Sequence, residues 1–593
     1  MDPRLVPTPL RQRSGVVNPG PDPQNPLLAF SWHRLRLFAA CAAGLVRARL
    51  RGQVDGGEYG YRIRILFESL GGTWTKLGQL LGMRRDVFSA PFCTEMSKVQ
   101  NQATGFPGRT ARKILQSDLP GPIDSIFSEF GEEPFAAASI GQVHDARLRL
   151  NGMRAAVKIR RPFAVEQMAL DFRWLGHLVR ILEWIRFKPS FAWNELLWEL
   201  ETALKEELDY RIEGNYMVRM AESLAPHGIH VPEVFNQFTT QRVLVMEFLE
   251  GVFMAELIAT EQEDPDRVER WLEENNVSRE TVGRKLNHSL NRQIFEDNFF
   301  HSDLHPGNIM LLRNNEVALI DFGAVGSLDA DYLKNYTNYY RAVVARDFDG
   351  AAGLLLLMAP QDPANVKLDA FRKRYSAVMK RFETATATKA LPYHERSIVS
   401  VFGEIMSDLA ALEVPLDWSF MRADRSQLTL DASLIFLVPH VDYLDLVGDY
   451  WEGARARRMA ATAESSRKPA GLASFATMLP KLVEYGEEQV FRVQVSREKT
   501  FTGHFSGALS GIAGFSRRLW SNAVTVLLVA CIAAWFEGPR IAEFFARLHL
   551  SGAVDEWRSL NPTVAAAIML GLLILGMKAA RAAYFSHRSA KVR

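Results

Sequence analysis

Residues 301–308 read His301-Ser302-Asp303-Leu304-His305-Pro306-Gly307-Asn308, and Asp321-Phe322-Gly323 follows 18 residues after Asp303. An aspartate, an asparagine five residues on, and a second aspartate beyond a short hairpin supply what phosphoryl transfer needs. One carboxylate stands near the nucleophile, while an amide and a second carboxylate hold Mg²⁺ against phosphates. The stretch between them, residues 309–320, reads as strand, Asn314-Asn315 turn, strand. That hairpin brings both acidic clusters to one end.

At 593 residues the chain is long enough for more than one domain, and 48% hydrophobic content supports a substantial core. Its 70 basic and 68 acidic residues nearly cancel, which speaks against a nucleic-acid partner. Cys41, Cys93 and Cys531 are far apart, form no metal-ligand spacing, and fit a reducing compartment. Residues 1–29 are expected to be disordered. They lack the apolar stretch of a secretory signal, and although poor in acids they do not open with the amphipathic arginine helix of a transit peptide. Residues 30–53 read as a helix carrying Arg34, Arg36, Arg47, Arg49 and Arg51. Two readings stand: a basic amphipathic helix lying on an anionic membrane, or a packed helix with a solvated basic face.

Residues 125–160 are β-rich. Strands at 146–150 and 153–159 flank Asn151-Gly152, a strong hairpin signal because both turn residues tolerate positive φ. Residues 164–223 read as helical and residues 231–250 as strands ending at Glu247; after Asp321 the chain is mostly helical to about residue 500. A helix beginning near Tyr61 carries Lys76 and Gln79, three apart and so on one face. Near the C-terminus two uncharged segments, 523–536 and 563–577, approach with flanks from Leu519 and through Ala580 the ~17–20 residues a bilayer requires. Arg517 and Arg518 precede the first, and Lys578, Arg581, Arg588, Lys591 and Arg593 follow the second. Positive flanks place both ends on the cytoplasmic or matrix side. The alternative is a buried helical hairpin.

Lys158, on the second strand of the Asn-Gly hairpin, can reach phosphate oxygens if a helix glutamate holds it, and Glu213 is the better partner. Upstream, Ala136, Ala137, Ala138, Ser139, Ile140, Gly141 and Val143 stand where a glycine-rich nucleotide loop would lie. The added Cβ of each alanine restricts φ and stiffens that loop. Residues 246–248, with Glu247 and Phe248, would form the hinge beside adenine.

In their order and spacing these motifs resemble the UbiB/AarF (ABC1) family of atypical kinase-like proteins, associated with coenzyme Q biosynthesis, over about residues 60 to 330. The resemblance implies an α+β, protein-kinase-like bilobal fold with an N-terminal helical extension and a C-terminal transmembrane helical hairpin. The expected divisions are an extension at 30–124, an N-lobe with inserted helices at 125–252, a helical C-lobe at 253–500 and a membrane region at 501–593. It implies ATP or ADP with Mg²⁺ as cofactors, Asp303 as the catalytic carboxylate, and Asn308 and Asp321 as metal ligands. The helix bearing Lys76 and Gln79 would cover the place of a protein substrate, with Lys76 approaching Glu207 and Asp209. Membrane lipid and quinone-biosynthesis enzymes are the implied partners, a homodimer is allowed, and the bacterial inner membrane, with the catalytic domain on the cytoplasmic side, is the implied location.

The chain departs from the family pattern at residues 83–86 (Met-Arg-Arg-Asp) and 99–101 (Val-Gln-Asn), so the turn after the Lys76 helix is expected to differ. Independently of the family, no long loop and no Ala-Pro-Glu anchor follow Asp321, which argues against phosphorylating proteins in trans. Two other functions compete. One is a nucleotide-sensing scaffold that organises lipid-modifying partners. The other is a soluble aminoglycoside-type small-molecule kinase, against which the hydrophobic pair and the Lys76 helix both speak.

Overall fold

The structure, a computed structural model, describes residues 6–10, most of 34–48, and 56–99, 105–137, 140–188, 191–359 and 368–467. The chain divides into two units, residues 1–455 and 456–593. Of the second unit only the end of a helix is described, so the segments 519–536 and 563–580 lie outside the described residues. Among the described residues no helix is long and apolar enough to cross a membrane.

The N-terminal extension comprises α1 (Gly56–Leu70), α2 (Thr73–Met83), α3 (Ala90–Ser97), α4 (Gly108–Asp118) and the single turn α5 (Ile123–Ile126). The sequence suggests one helix through Lys76; instead Gly71 and Gly72, at φ 66° and 48°, break it in two. That left-handed backbone is accessible to glycine at little cost.

Next come β1 (Phe127–Phe130), β2 (Ala136–Ala137), β3 (Gly141–Leu148), β4 (Arg154–Arg160), α6 (Ala164–Trp184), α7 (Trp193–Glu207), α8 (Tyr210–Leu224), β5 (Ile229–His230) and β6 (Val243–Glu247). The first sheet has the order β1-β3-β4-β6, with β2 paired to β3. Gly152, at φ 70°, turns β3 into β4, as the Asn-Gly pair predicts. Val143, Lys158 and Leu244 are in register across three strands, so they share a face. The alternate residues Ala155, Val157, Ile159, Val243 and Val245 form the core with Ile114 and Leu115 of α4. The period of two in a strand separates the chemical face from the packing face. Strand structure within residues 231–250 is confined mainly to β6.

The second half holds β7 (Val252–Phe253), α9 (Met254–Glu263), α10 (Pro265–Glu274), α11 (Arg279–Phe295), β8 (Phe300–His301), β9 (Ile309–Leu311), β10 (Val317–Leu319) and β11 (Val325–Gly326). Helices α12 (Ala330–Val344), α13 (Phe348–Leu357), α14 (Leu368–Ala387), α15 (Tyr393–Arg396), α16 (Ile398–Ala411), α17 (Trp418–Leu437) and α18 (Tyr443–Arg467) complete it. Strands β9 and β10 form the expected hairpin, with Asn314 and Asn315 at φ 59° and 61°. These are the two consecutive positive φ values of a tight hairpin turn.

Polar side chains tie the extension to both sheets and helices. Gln142 is fully buried; its Oε1 accepts from the Phe106 amide at 2.6 Å and its Nε2 donates to the Phe106 carbonyl at 3.0 Å. His144 donates from Nδ1 to the Gly131 carbonyl, leaving Nε2 to accept from Gln142, and burial pushes its pKa down. The divergent turn at residues 83–86 has a definite job. Arg84 and Asp86 form a buried two-bond ion pair at 2.9 and 2.7 Å, and Asp86 also accepts from the Leu416 amide at 2.9 Å. The Arg84 guanidinium lies 5.0 Å from the Phe191 ring and 4.6 Å from the Trp418 ring.

Two parts of the N-terminal region are tied to the domain. Residues 6–10 are held in place: Thr8 exchanges hydrogen bonds with Asn275 at 2.9 and 2.8 Å, and its carbonyl accepts from Trp271 at 2.6 Å. Within the basic segment Arg34 is buried and paired with Asp171 of α6, while Arg36 and Arg47 are exposed. A buried ion pair takes Arg34 out of any lipid-facing surface.

Candidate active site

Strand β4 presents Lys158 and helix α8 presents Glu213, and they meet as predicted. The Lys158 Nζ lies 2.8 and 2.9 Å from the two Glu213 oxygens, 3.8 Å from Asp321 Oδ1 and 5.2 Å from the centroid of the Tyr210 ring. Burial works against the lysine charge, but Asp321 and Glu213 outweigh it and hold the Lys158 pKa above its ordinary value. In turn the Lys158 charge holds the Asp321 carboxyl below the usual carboxylate range. A charged lysine fixed by one carboxylate and near a second can bind phosphate oxygens without first finding its position.

Asp321 sits at φ 61°, and its Oδ1 accepts from the Gly323 amide at 3.2 Å. Asn308 donates from Nδ2 to the Asp303 carbonyl at 3.0 Å, which leaves Oδ1 available. An amide oxygen and a carboxylate are hard donors of the kind Mg²⁺ takes, with phosphate and water oxygens completing its shell. The donor set therefore fits the ion that the spacing implies.

Asp303 is not free. Its Oδ2 accepts from Arg425 of α17 at 2.7 Å. Burial opposes its charge, but Arg425, followed by His305 and Lys76, holds the carboxyl below the ordinary range. His301, fully buried, accepts the Asp303 amide on Nδ1 at 3.2 Å and so fixes the loop backbone.

The alanine-rich loop is described in part. Ala136 and Ala137 form β2 and pair with Val143 and Gln142, which anchors that half of the loop to the sheet. Ala138 and Ser139 lie outside the described residues. The Ile140 carbonyl accepts from the Arg161 amide at 2.7 Å. At Gly141 a Cβ would run into the Tyr210 hydroxyl and stand 2.8 Å from the Ile159 carbonyl, so space rather than φ demands glycine there.

Lys76 meets one of the two carboxylates that the resemblance implies. Lys76 pairs with Glu207, and Glu207 lies beside Gly323. Asp209 takes no part: it caps α8 through the Arg211 amide at 3.1 Å and binds the Arg211 guanidinium at 2.6 and 2.9 Å. A residue at a helix N-cap is claimed by the helix's free amides. Gln79 is half-buried on the Lys76 face. At the expected hinge, residues 246–248, the Glu247 and Phe248 side chains have protein partners. The Glu247 carboxylate is held by His230 at 2.8 Å and by the Glu233 amide at 3.3 Å, and Phe248 stacks 3.8 Å from the Arg154 guanidinium. Neither side chain is free for a nucleotide, so this segment can offer only backbone groups.

Sequence reasoning missed Tyr210 and Arg425. Tyr210 is fully buried against Lys158, its hydroxyl without a hydrogen-bond partner, and its place between Asp209 and Glu213 in sequence was the available signal. Arg425 lies 122 residues from Asp303 and carried no signal.

Residues 98–355 match the model of the ABC1 atypical kinase-like domain. The chain carries an ABC1 atypical kinase-like domain. Over 422 residues it is 28% identical to a protein named probable protein kinase UbiB from Providencia stuartii, covering 68% of this chain and 71% of that one. A protein of the same name from Shewanella sp. (strain MR-4) is 25% identical over 460 residues, covering 74% and 77%. Among solved structures, the complex of Rv3197 with erythromycin from Mycobacterium tuberculosis matches with a TM-score of 0.40 and 22% identity, over 56% of this chain and 84% of that one. The fold is kinase-like, with mixed helices and sheets, and such a fold generally binds ATP with a metal ion. The ABC1 match includes Lys158, Glu213, Asp303, Asn308 and Asp321. Lys76 and Arg425, the cations that meet Glu207 and Asp303, both come from outside it.

Proposed function

We propose that this protein is a membrane-associated atypical kinase or ATPase that uses Mg-nucleotide and supports ubiquinone or related isoprenoid-lipid biosynthesis, without phosphorylating proteins in trans. The observation that carries the reading is Lys158, fixed by Glu213 and 3.8 Å from Asp321. In this reading Lys158 binds the nucleotide phosphates, Asn308 Oδ1 and Asp321 hold the ion, and Asp303 orients a hydroxyl or water. When bound, Mg²⁺ neutralises charge on the transferring phosphates. The Lys76–Glu207 pair beside Gly323 supports exclusion of a peptide, as does α12, which begins nine residues past Asp321. The kinship with bacterial proteins named UbiB supports the pathway and an inner-membrane location with the catalytic domain on the cytoplasmic side.

Purified Asp321→Asn protein is expected to lose Mg²⁺-dependent ATP turnover while unfolding at the wild-type temperature. Wild-type hydrolysis by that variant would refute the mechanism. Quinone profiling of a strain carrying the same substitution tests the pathway; unchanged quinones alongside lost turnover would move the enzyme elsewhere in lipid metabolism.

A second reading, a nucleotide-sensing scaffold, is favoured by one observation: Arg425 holds Asp303 low, which makes it a weak base. The pH profile separates the two. Turnover that requires ionised Asp303 falls as pH drops through its pKa. Removing Arg425 raises that pKa, so Arg425→Gln is expected to shift the acid limb to higher pH. A scaffold would show nucleotide binding with no turnover limb to move.

A further inference from the structure

Helix α6 buries Asp171, Leu175 and Val179 along one face. Its other face ends in an apolar tip that the catalytic reading does not use. Trp184 is 83% exposed, and Ile181, Ile185 and Phe187 are 55%, 54% and 44% exposed. The tip is built rather than loose. Arg186 and Lys188 both lie at φ 52°, the Phe187 carbonyl accepts from Trp193 Nε1 at 2.9 Å, and Trp193 packs edge-on against Phe191 at 4.9 Å. Stacking beneath Phe187 thus fixes the turn while Trp184 and Ile185 project.

Charge identifies what this surface suits. Between residues 173 and 188 the basic groups are Arg173, Arg180, Arg186 and Lys188, all exposed, with His177 beside them. The one acid in that span, Glu183, is engaged by Asn194 at 2.7 Å. The facing helix α7 carries Glu195, Glu199, Glu201, Lys205, Glu206 and Glu207, of which Glu201 pairs with Lys205 at 2.7 Å and Glu207 with Lys76. A projecting Trp with aliphatic neighbours, close in sequence to the exposed Arg180, Arg186 and Lys188, matches the headgroup region of an anionic bilayer. There indole sits at the interface and cations meet lipid phosphates. The charges along α6 rule out insertion across the bilayer, so the contact is peripheral.

We propose that the α6 tip, residues 181–188, docks on an anionic lipid surface and so sets how the catalytic domain stands on the membrane. This rests on the membrane half of the proposed function, not on its catalytic half.

The test uses the full chain with vesicles of phosphatidylcholine alone or mixed with phosphatidylglycerol, each carrying brominated acyl chains. The fluorescence difference between wild type and Trp184→Phe reports Trp184. That signal is expected to be quenched in the anionic vesicles, to remain unquenched in neutral ones, and to lose its quenching in Arg186→Glu/Lys188→Glu. Vesicle-bound protein whose Trp184 signal stays unquenched in anionic lipid overturns the docking proposal and leaves the anchoring reading intact. No association with either vesicle overturns both. A Trp184 signal that shifts to the blue with protein concentration, without lipid, would assign the tip to a second copy of the chain and overturn the lipid proposal. ATP turnover, measured in parallel, reports the catalytic reading separately.

Discussion

Replacing Lys158 with methionine is expected to lower ATP turnover by about 10²–10³-fold, the usual effect of removing one preorganised electrostatic contact to reacting phosphates. It is also expected to destabilise the protein, for a separate reason. Glu213 is 3% exposed, and Lys158 supplies both of its close contacts, at 2.8 and 2.9 Å. Removing the lysine strands a buried carboxylate, a change that costs about 3–5 kcal/mol. The double variant Lys158→Met/Glu213→Gln removes both charges and should recover much of that stability, but none of the turnover. Denaturation midpoints and steady-state hydrolysis on the wild type, both single variants and the double variant separate the two effects. If the double variant regained activity, Lys158 would have only a structural role. Glu213→Gln alone should also fail in turnover, because Lys158, released from Glu213, is free to close on Asp321 from 3.8 Å and occupy the proposed metal ligand.

The second large effect lies away from the chemistry. Asp86→Ala is expected to lower stability by about 3–5 kcal/mol, since it leaves Arg84 buried and unpaired. Asp86 has a side-chain exposure of 0% and binds both Arg84 and the Leu416 amide, 330 residues away. The same change should loosen the α2 helix and with it the Lys76–Glu207 contact. Limited proteolysis between residues 84 and 105 would then accelerate along with the fall in midpoint. In Arg84→Met/Asp86→Ala the methionine can pack between Phe191 and Trp418, so part of the lost stability should return. If Asp86→Ala unfolds at the wild-type midpoint, the pair does not hold the extension to the second half of the domain.

Much of the catalytic frame was legible because its signals are local. Asn314-Asn315 between two short apolar runs specifies a hairpin, which with the pairing of β8 and β11 sets Asp303 and Asp321 at one end. Asn151-Gly152 does the same for Lys158, and alternation along β4 sets the lysine on the face opposite Val157 and Ile159. The break between α1 and α2 could also have been read from Gly71-Gly72, whose positive φ values are the physical reason for it.

The choices between similar groups were not legible. Glu207 and Asp209 are two residues apart and both acidic; only the start of α8 decides that Asp209 serves as its cap and Glu207 faces Lys76. Nor could the sequence show that His230 and the Glu233 amide hold the Glu247 carboxylate at the expected hinge. Arg34, grouped in sequence with four other arginines, is buried against Asp171, whereas an apolar and basic surface that the sequence did not single out is exposed at the end of α6.

The sequence by itself determined the two hairpins, the Lys158–Glu213 pairing and the grouping of Asp303, Asn308 and Asp321. Turn residues and strand periodicity act over a few positions and need no distant partner. Tertiary structure alone decided that Arg425 restrains Asp303, that Arg84 and Asp86 fasten the extension through Leu416, and that Tyr210 closes over Lys158 against Gly141. Two of these contacts join residues more than 100 positions apart, and all three depend on which charge or ring is left buried once the helices have packed.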